Sequence, residues 1–172
     1  DELRRQRQMC IRDRYYIINM SPIEQVIKKK ETSINPIWIM RQAGRYLPEF
    51  REVRSKNTNF IKLCLNPILS TEITLQPLKR FDFDAAIIFS DILMLPYGLE
   101  QNVEFKKNFG PILGQLDLNK ISKMKEIDFV EKVKQVYEAI KNVSNNHILQ
   151  NKNTIGFVGA PWTILVYMIN QQ

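Results

Sequence analysis

Apolar and polar positions alternate along this chain in two rhythms: short unbroken apolar runs, and longer stretches with apolar residues every three or four places. The runs are Ile37-Trp-Ile-Met40, Ala85-Ala-Ile-Ile-Phe89 and Thr154-Ile-Gly-Phe-Val158. The run at 85–89, continuous and followed at once by polar residues, predicts a strand buried on both faces, as parallel strands are; 37–40 reads as a short buried strand and 154–158 as a third strand. The periodic stretches predict helices between them. Ser21-Pro-Ile-Glu24 is a capping box with proline at the first helical position, so a short helix is expected to about Lys30. Pro48 opens a second helix carrying Phe50 and Val53. Asn66-Pro67 opens a third, ending near Arg80, with Pro77 loosening its last turn. Ile121, Met124, Ile127, Val130, Val133 and Tyr137 give Lys120 to Asn142 a helical period. Residues 97–114 read as a longer loop with one hairpin, 142–153 as a polar turn, Gly159-Ala-Pro161 as a tighter one, and Trp162 to Ile169 as the start of another helix.

Strands alternating with helices predict an α/β fold of βαβ units around a parallel sheet. Three strands are too few for a closed parallel barrel, which takes about 250 residues. The last periodic stretch begins shortly before Gln172 with no terminating signal, so the expectation is the N-terminal portion of one larger domain spanning residues 15–172. Residues 1–14 stand apart. They hold five of the ten arginines and no amphipathic period, and are expected to be an unrelated or disordered leader.

Composition narrows the class. A chain of 172 residues with 44% hydrophobic content and mixed charge fits a soluble globular protein. The formal charge of +7 includes the leader's arginines, and the rest is spread over lysines as a solubility term. Cys10 and Cys64 show neither metal-ligand spacing nor a disulfide framework, which predicts reduced thiols in a cytoplasmic protein, with Cys64 buried. No apolar run approaches the roughly 20 residues of a membrane span, and no secretory h-region is visible. Basic residues are not interleaved with aromatics as in nucleic-acid binders.

The candidate chemistry follows the strands. From Tyr15 onward the chain uses lysine fifteen times and arginine five times, yet four of those arginines are Arg41, Arg45, Arg51 and Arg54. Arginine grips carboxylates or phosphates through two parallel hydrogen bonds. The local switch from lysine to arginine, just after an apolar run, points to an anionic ligand. Arg51 and Arg54 are weaker candidates, because Glu49 and Glu52 are placed to pair with them. Ser90 and Asp91 follow the second run, and the Gly159 turn follows the third. Ligand sites of α/β sheets lie beyond the carboxyl ends of the strands, so the three segments are expected to converge. Asp91 is either a cap for the next segment or an acceptor for ligand N–H groups. Asp82 and Asp84 read as structural and His147 as a solvent-facing loop residue. No zinc cluster, P-loop, dinucleotide fingerprint or nucleophile elbow occurs.

Pro36-Ile-Trp-Ile-Met-Arg-Gln-Ala-Gly-Arg-Tyr-Leu-Pro-Glu-Phe-Arg-Glu52 resembles the N-terminal signature of the uroporphyrinogen decarboxylases. Thr74-Leu-Gln-Pro-Leu-Lys-Arg-Phe81, Asp84-Ala-Ala-Ile-Ile-Phe-Ser-Asp-Ile-Leu93 and Gly156-Phe-Val-Gly-Ala-Pro-Trp-Thr163 are similar to that family's next blocks, in its order and spacing. The resemblance covers roughly Ser21 to Asn170. It implies a cofactor-free (β/α)8 barrel, homodimeric, that turns the four acetate side chains of uroporphyrinogen into methyl groups with release of carbon dioxide. It also implies that Arg41, Arg45 and Arg54 hold substrate carboxylates and that Asp91 accepts hydrogen bonds from the pyrrole N–H groups. Tyr167 would line the pocket near a reacting acetate, with Ile87 and Phe89 in its apolar wall. The family's barrel continues well past Gln172, so this span alone is expected to show little or no turnover. The rival readings are a zinc-dependent methyltransferase of the same barrel superfamily and a noncatalytic binder of anionic tetrapyrroles.

Overall fold

A computed structural model of the chain describes residues 20–28, 35–106 and 109–171. The expected leader, Cys10 and the continuation of the first helix to Lys30 lie outside them. Ser21 caps α1 (Pro22–Ile27) through reciprocal bonds with Glu24, and its hydroxyl also bonds the Asn153 side chain. Proline opens α2 (Pro48–Lys56) and α4 (Pro67–Arg80), where its missing N–H belongs to a group with no helical partner. Between them lies α3 (Phe60–Cys64), capped by Asn59. At five residues it is too short to show a period. Pro77 sits inside α4 rather than ending it, and the Phe81 N–H still reaches the Pro77 carbonyl at 2.8 Å.

The chain continues through β1 (Ala85–Ile87), α5 (Met94–Gly98), the strands β2 (Val103–Lys106) and β3 (Gly110–Leu113), α6 (Leu118–Lys123) and α7 (Glu126–Ser144). It ends with a 3-10 turn (His147–Leu149), β4 (Asn153–Ile155) and α8 (Pro161–Asn170). β1 and β4 pair in parallel, Ala85 opposite Asn153 through Ile87 opposite Ile155. β2 and β3 form an antiparallel hairpin, the one expected within residues 97–114. The parallel pair is packed by helices on the pattern of a βαβ unit. Leu75 and Leu78 of α4, Ala86 and Ile88 of the first strand region, Val143 of α7 and Leu149 close one core. Leu47, Phe50, Leu63 and Ile73 form a second among α2, α3 and α4. A third joins Ile61, Cys64, Leu93, Met94, Val103, Leu113, Ile164 and Met168.

Three expectations are corrected. Residues 37–40 are not a buried strand: Trp38 is 45% exposed and Met40 73%, and among the described residues the segment's hydrogen bonds to the strand region run through Asp84, which accepts from and donates to Ile37. The reason is that the free edge of β1 is already occupied by a side chain, described below. The third apolar run pairs only to Ile155, leaving Phe157 and Val158 exposed. The predicted single helix from Lys120 is two, because Met124 is extended at ψ 135°. Ile121 of α6 packs on the third core, and α7 spans two cores, with Val136 against the third and Val143 in the first.

A cluster of charge fixes these two helices to the preceding turn. Lys120 and Lys132 both donate to Glu100, at 2.7 and 2.8 Å, and hold its carboxyl down at about 2, against an ordinary 4.5. A carboxylate whose folded value is depressed stabilises the fold above its unfolded value and loses that contribution as pH falls. Glu100→Gln is therefore expected to flatten the acid limb of the stability profile between about pH 4.5 and about pH 2, read by denaturant titration at stepped pH.

Candidate functional site

The site begins where α4 takes hold of the exit from β1. The Phe89 N–H donates to Thr74 Oγ1 at 2.8 Å, and Ser70 Oγ donates to the Phe89 carbonyl at 2.6 Å. Both hydroxyl residues are 1% exposed. A helix thus replaces a neighbouring strand as hydrogen-bond partner and sets the direction in which the chain leaves the sheet. Asp91 follows two residues later. Its Oδ1 accepts the Leu93 N–H at 2.8 Å and its carbonyl accepts the Met94 N–H at 3.1 Å, so it starts the turn into α5. One carboxylate oxygen is thus engaged by the N–H of Leu93, the residue that precedes α5. Burial pushes the Asp91 carboxyl up from its ordinary 3.8, opposed by the Leu93 N–H. Burial also raises the Cys64 thiol to about 12, and the charge of Asp91 adds to the rise. That thiol is inert, as a buried structural cysteine should be.

The arginine segment is built by backbone contacts. Leu47, 1% exposed, anchors it in the second core, and its N–H donates to the Gly44 carbonyl at 3.0 Å. The Tyr46 hydroxyl donates to the Gln42 carbonyl. Arg51 donates to the carbonyls of Arg45 at 2.8 Å and Tyr46 at 3.3 Å. Arg54 donates to the carbonyls of Asn57 and Thr58 and lies 5.5 Å from the Phe60 ring centroid. The glutamates expected to pair with Arg51 and Arg54 go elsewhere: Glu49 to Arg80 at 2.8 Å, Glu52 to Lys56 at 2.8 Å. Arg41 and Arg45 are exposed and have no side-chain hydrogen bond or ion pair among the described residues.

A cavity of about 830 Å³ lies between this segment and the hairpin, lined by Arg45, Phe50, Arg54, Phe60, Asp91 and Phe105, together with Thr58, Lys106 and Gly110. Its volume suits a large organic ligand. Phe89 packs edge-on against Phe50 and Phe60, both 5.8 Å away, and so backs the wall without lining it. Ile87 is half-buried at the end of β1. Tyr167 packs on the third core and lines a separate cleft of about 510 Å³ with Phe109, Pro111, Trp162, Thr163 and Val166. The structure therefore brings Arg45, Arg54 and Asp91 to one cavity and leaves Arg41 and Tyr167 outside it. Lys106 and the aromatic pair Phe60–Phe105, centroids 4.7 Å apart, escaped the sequence reading. The phenylalanines give no signal before the hairpin is folded.

Among the described residues no group of three or more His, Cys, Asp or Glu side chains could hold a metal ion, and no helix is long and apolar enough to cross a membrane.

Residues 19–172 match the family model described as uroporphyrinogen decarboxylase (URO-D). A protein of Rickettsia felis named uroporphyrinogen decarboxylase is 47% identical over 150 residues, 87% of this chain and 43% of its own length. One of the same name from Agrobacterium fabrum is 45% identical over 145 residues, 84% of this chain and 42% of its length. The chain thus spans under half the length of these curated relatives. Among solved structures, a methyltransferase from Methanosarcina mazei superposes with a TM-score of 0.65 at 16% identity, covering 87% of this chain and 45% of that one. At that identity the likeness speaks to the fold alone.

Proposed function

The chain belongs to the uroporphyrinogen decarboxylase family, and from that membership we propose that the whole protein removes carbon dioxide from the four acetate side chains of uroporphyrinogen, giving coproporphyrinogen. The observation that carries the reading is the cavity in which Arg45 and Arg54 share the walls with a desolvated carboxylate, Asp91. A macrocycle bearing many carboxylates needs arginine forks at its rim and an acceptor for its central N–H groups. Those two demands match these two kinds of residue.

The chemistry balances without a cofactor. Protonation of the pyrrole ring at carbon makes the ring an electron acceptor. The bond between the acetate methylene and its carboxylate breaks, carbon dioxide leaves, and the electron pair passes into the ring. A proton added to the methylene then gives the methyl group, and loss of the proton first added at the ring carbon restores the pyrrole, so that one proton is consumed for each carbon dioxide released. Asp91 opposes the ring's positive charge from a fixed position, the preorganised stabilisation by which sites of this kind lower barriers. Arg41 and Arg45 hold substrate carboxylates, Arg45 from the cavity wall and Arg41 from the exposed loop beside it. Arg54 does so by exchanging a backbone carbonyl for a carboxylate. Tyr167 reaches the reacting acetate from its neighbouring cleft, and Ile87 and Phe89 support the apolar wall.

In this reading the described elements are the N-terminal portion of a (β/α)8 barrel, supported by the parallel pairing of β1 with β4 across intervening helices. The homodimer, the cytoplasmic location and independence from metal or cofactor are carried over with the family. The full-length gene product, incubated anaerobically with uroporphyrinogen, is expected to yield products with seven, six, five and then four carboxylates, resolved by chromatography. Binding with no loss of carboxylates would overturn the enzyme reading in favour of a tetrapyrrole-binding module.

A further inference from the structure

Parallel pairing engages alternate residues of a strand on each side. β1 bonds β4 through its even-numbered neighbours: the Asn153 N–H donates to the Asp84 carbonyl at 3.0 Å and the Ile88 N–H donates to the Ile155 carbonyl at 3.1 Å. The groups of Ala85 and Ile87 therefore face the opposite edge, which no strand covers among the described residues. Gln42 fills that edge. Its Nε2 donates to the Ala85 carbonyl at 2.7 Å, and its Oε1 accepts the Ile87 N–H at 3.1 Å. One carboxamide presents the same donor and acceptor that a neighbouring peptide group would offer. The side chain is 3% exposed.

We propose that Gln42 is a positioning residue, its amide tying the loop that presents Arg41 and Arg45 to the backbone of β1. Its chain position supports the role. Gln42 lies directly after Arg41, its own carbonyl accepts the Tyr46 hydroxyl, and Arg51 grips the Arg45 carbonyl. The loop is thereby tied at both ends, with the two exposed guanidiniums between and beside the ties. Rim arginines bind carboxylates in proportion to how well they are held, because each degree of freedom lost on binding costs affinity. Gln42 removes part of that cost before the ligand arrives. What the arginines hold rests on the decarboxylase reading; that Gln42 holds the loop does not.

The test compares Gln42→Leu and Gln42→Glu with Ile88→Val in the full-length protein. The glutamate keeps the shape and the acceptor but loses the donor. Ile88 is buried in the first core and its side chain makes none of the loop's hydrogen bonds, so its variant controls for lost stability. Hydrogen exchange of a peptide covering residues 41–47 is read first, without substrate. Exchange there is expected to quicken about tenfold or more in both Gln42 variants and to stay unchanged in the control. KM for uroporphyrinogen should then rise about 10- to 100-fold with kcat little altered, the pattern of lost uniform binding. Unaltered exchange in the Gln42 variants overturns the proposal whatever the kinetics. Faster exchange with an unaltered KM overturns the link to binding. Absence of turnover in the parent protein overturns the decarboxylase reading alone, and exchange still decides the role of Gln42.

Discussion

Replacing Asp91 by asparagine is expected to make the protein more stable at neutral pH and to lower decarboxylation by about 10²- to 10³-fold. The two effects come from one group. Burial raises the folded carboxyl above 3.8, so the folded state holds its proton more tightly than the unfolded chain does. Stability therefore falls as pH climbs through the window from 3.8 to the raised value, and above it the full cost of a desolvated charge remains. Asparagine has no charge to desolvate. Its amide oxygen can still accept the Leu93 N–H, so the turn into α5 is kept. The same change removes the negative charge that opposes a cationic ring. Thermal unfolding at pH 7 and at pH 4, paired with single-turnover carbon dioxide release, checks both arms. A D91N protein that is less stable at pH 7 than its parent would show that the carboxylate is structural, and retained turnover would remove it from the chemistry.

Ile73→Ala is expected to cost about 2–5 kcal/mol of stability, the largest loss anticipated from a single core change here. Ile73 is 0% exposed and packs with Leu47, Phe50 and Leu63, where α2, α3 and α4 meet. Three elements enclose the site, so collapse around the missing atoms is limited and a cavity remains. Leu47 is also the anchor of the arginine segment, so the loss should reach the rim and raise KM as well. Ile73→Val, which removes one methylene, should cost about 0.5–1.5 kcal/mol and leave KM near the parent value. Chemical denaturation midpoints of the two variants decide the matter, and equal losses would mean that packing at this position is not what holds the segment.

Much of this was legible in the residues, and the exceptions share a cause. Capping boxes and prolines marked the starts of α1, α2 and α4 because those signals are local. The apolar run at 85–89 marked β1 for the same reason. Residues 37–40 have the composition of a buried strand, but their burial depends on which group covers the edge of β1. That group is the carboxamide of Gln42, a long-range contact no periodicity reveals. The break at Met124 interrupts one continuous apolar period, and periodicity alone carries no trace of it. At the site, the contrast of arginine with lysine found the segment but not the division of labour within it. Arg51 and Arg54 bind carbonyls that exist only once the loop has turned, while Arg41 and Arg45 remain open. The separation of Tyr167 from the cavity depends on where the hairpin packs, and residue types alone carry no trace of that.

The hydroxyl clasp of α4 on Phe89 also bears on the order in which the chain assembles. Ser70 and Thr74 meet Phe89 across 19 and 15 residues, whereas Ala85 must wait for Asn153 before its strand has a parallel neighbour. Short loops close at lower entropic cost and sooner than long ones. On a ribosome, the helix and the strand exit emerge together, long before β4 has been synthesised. The direction of the segment leading to Asp91 is therefore set while the sheet is still open, and the parallel strand that follows docks onto an exit already in place.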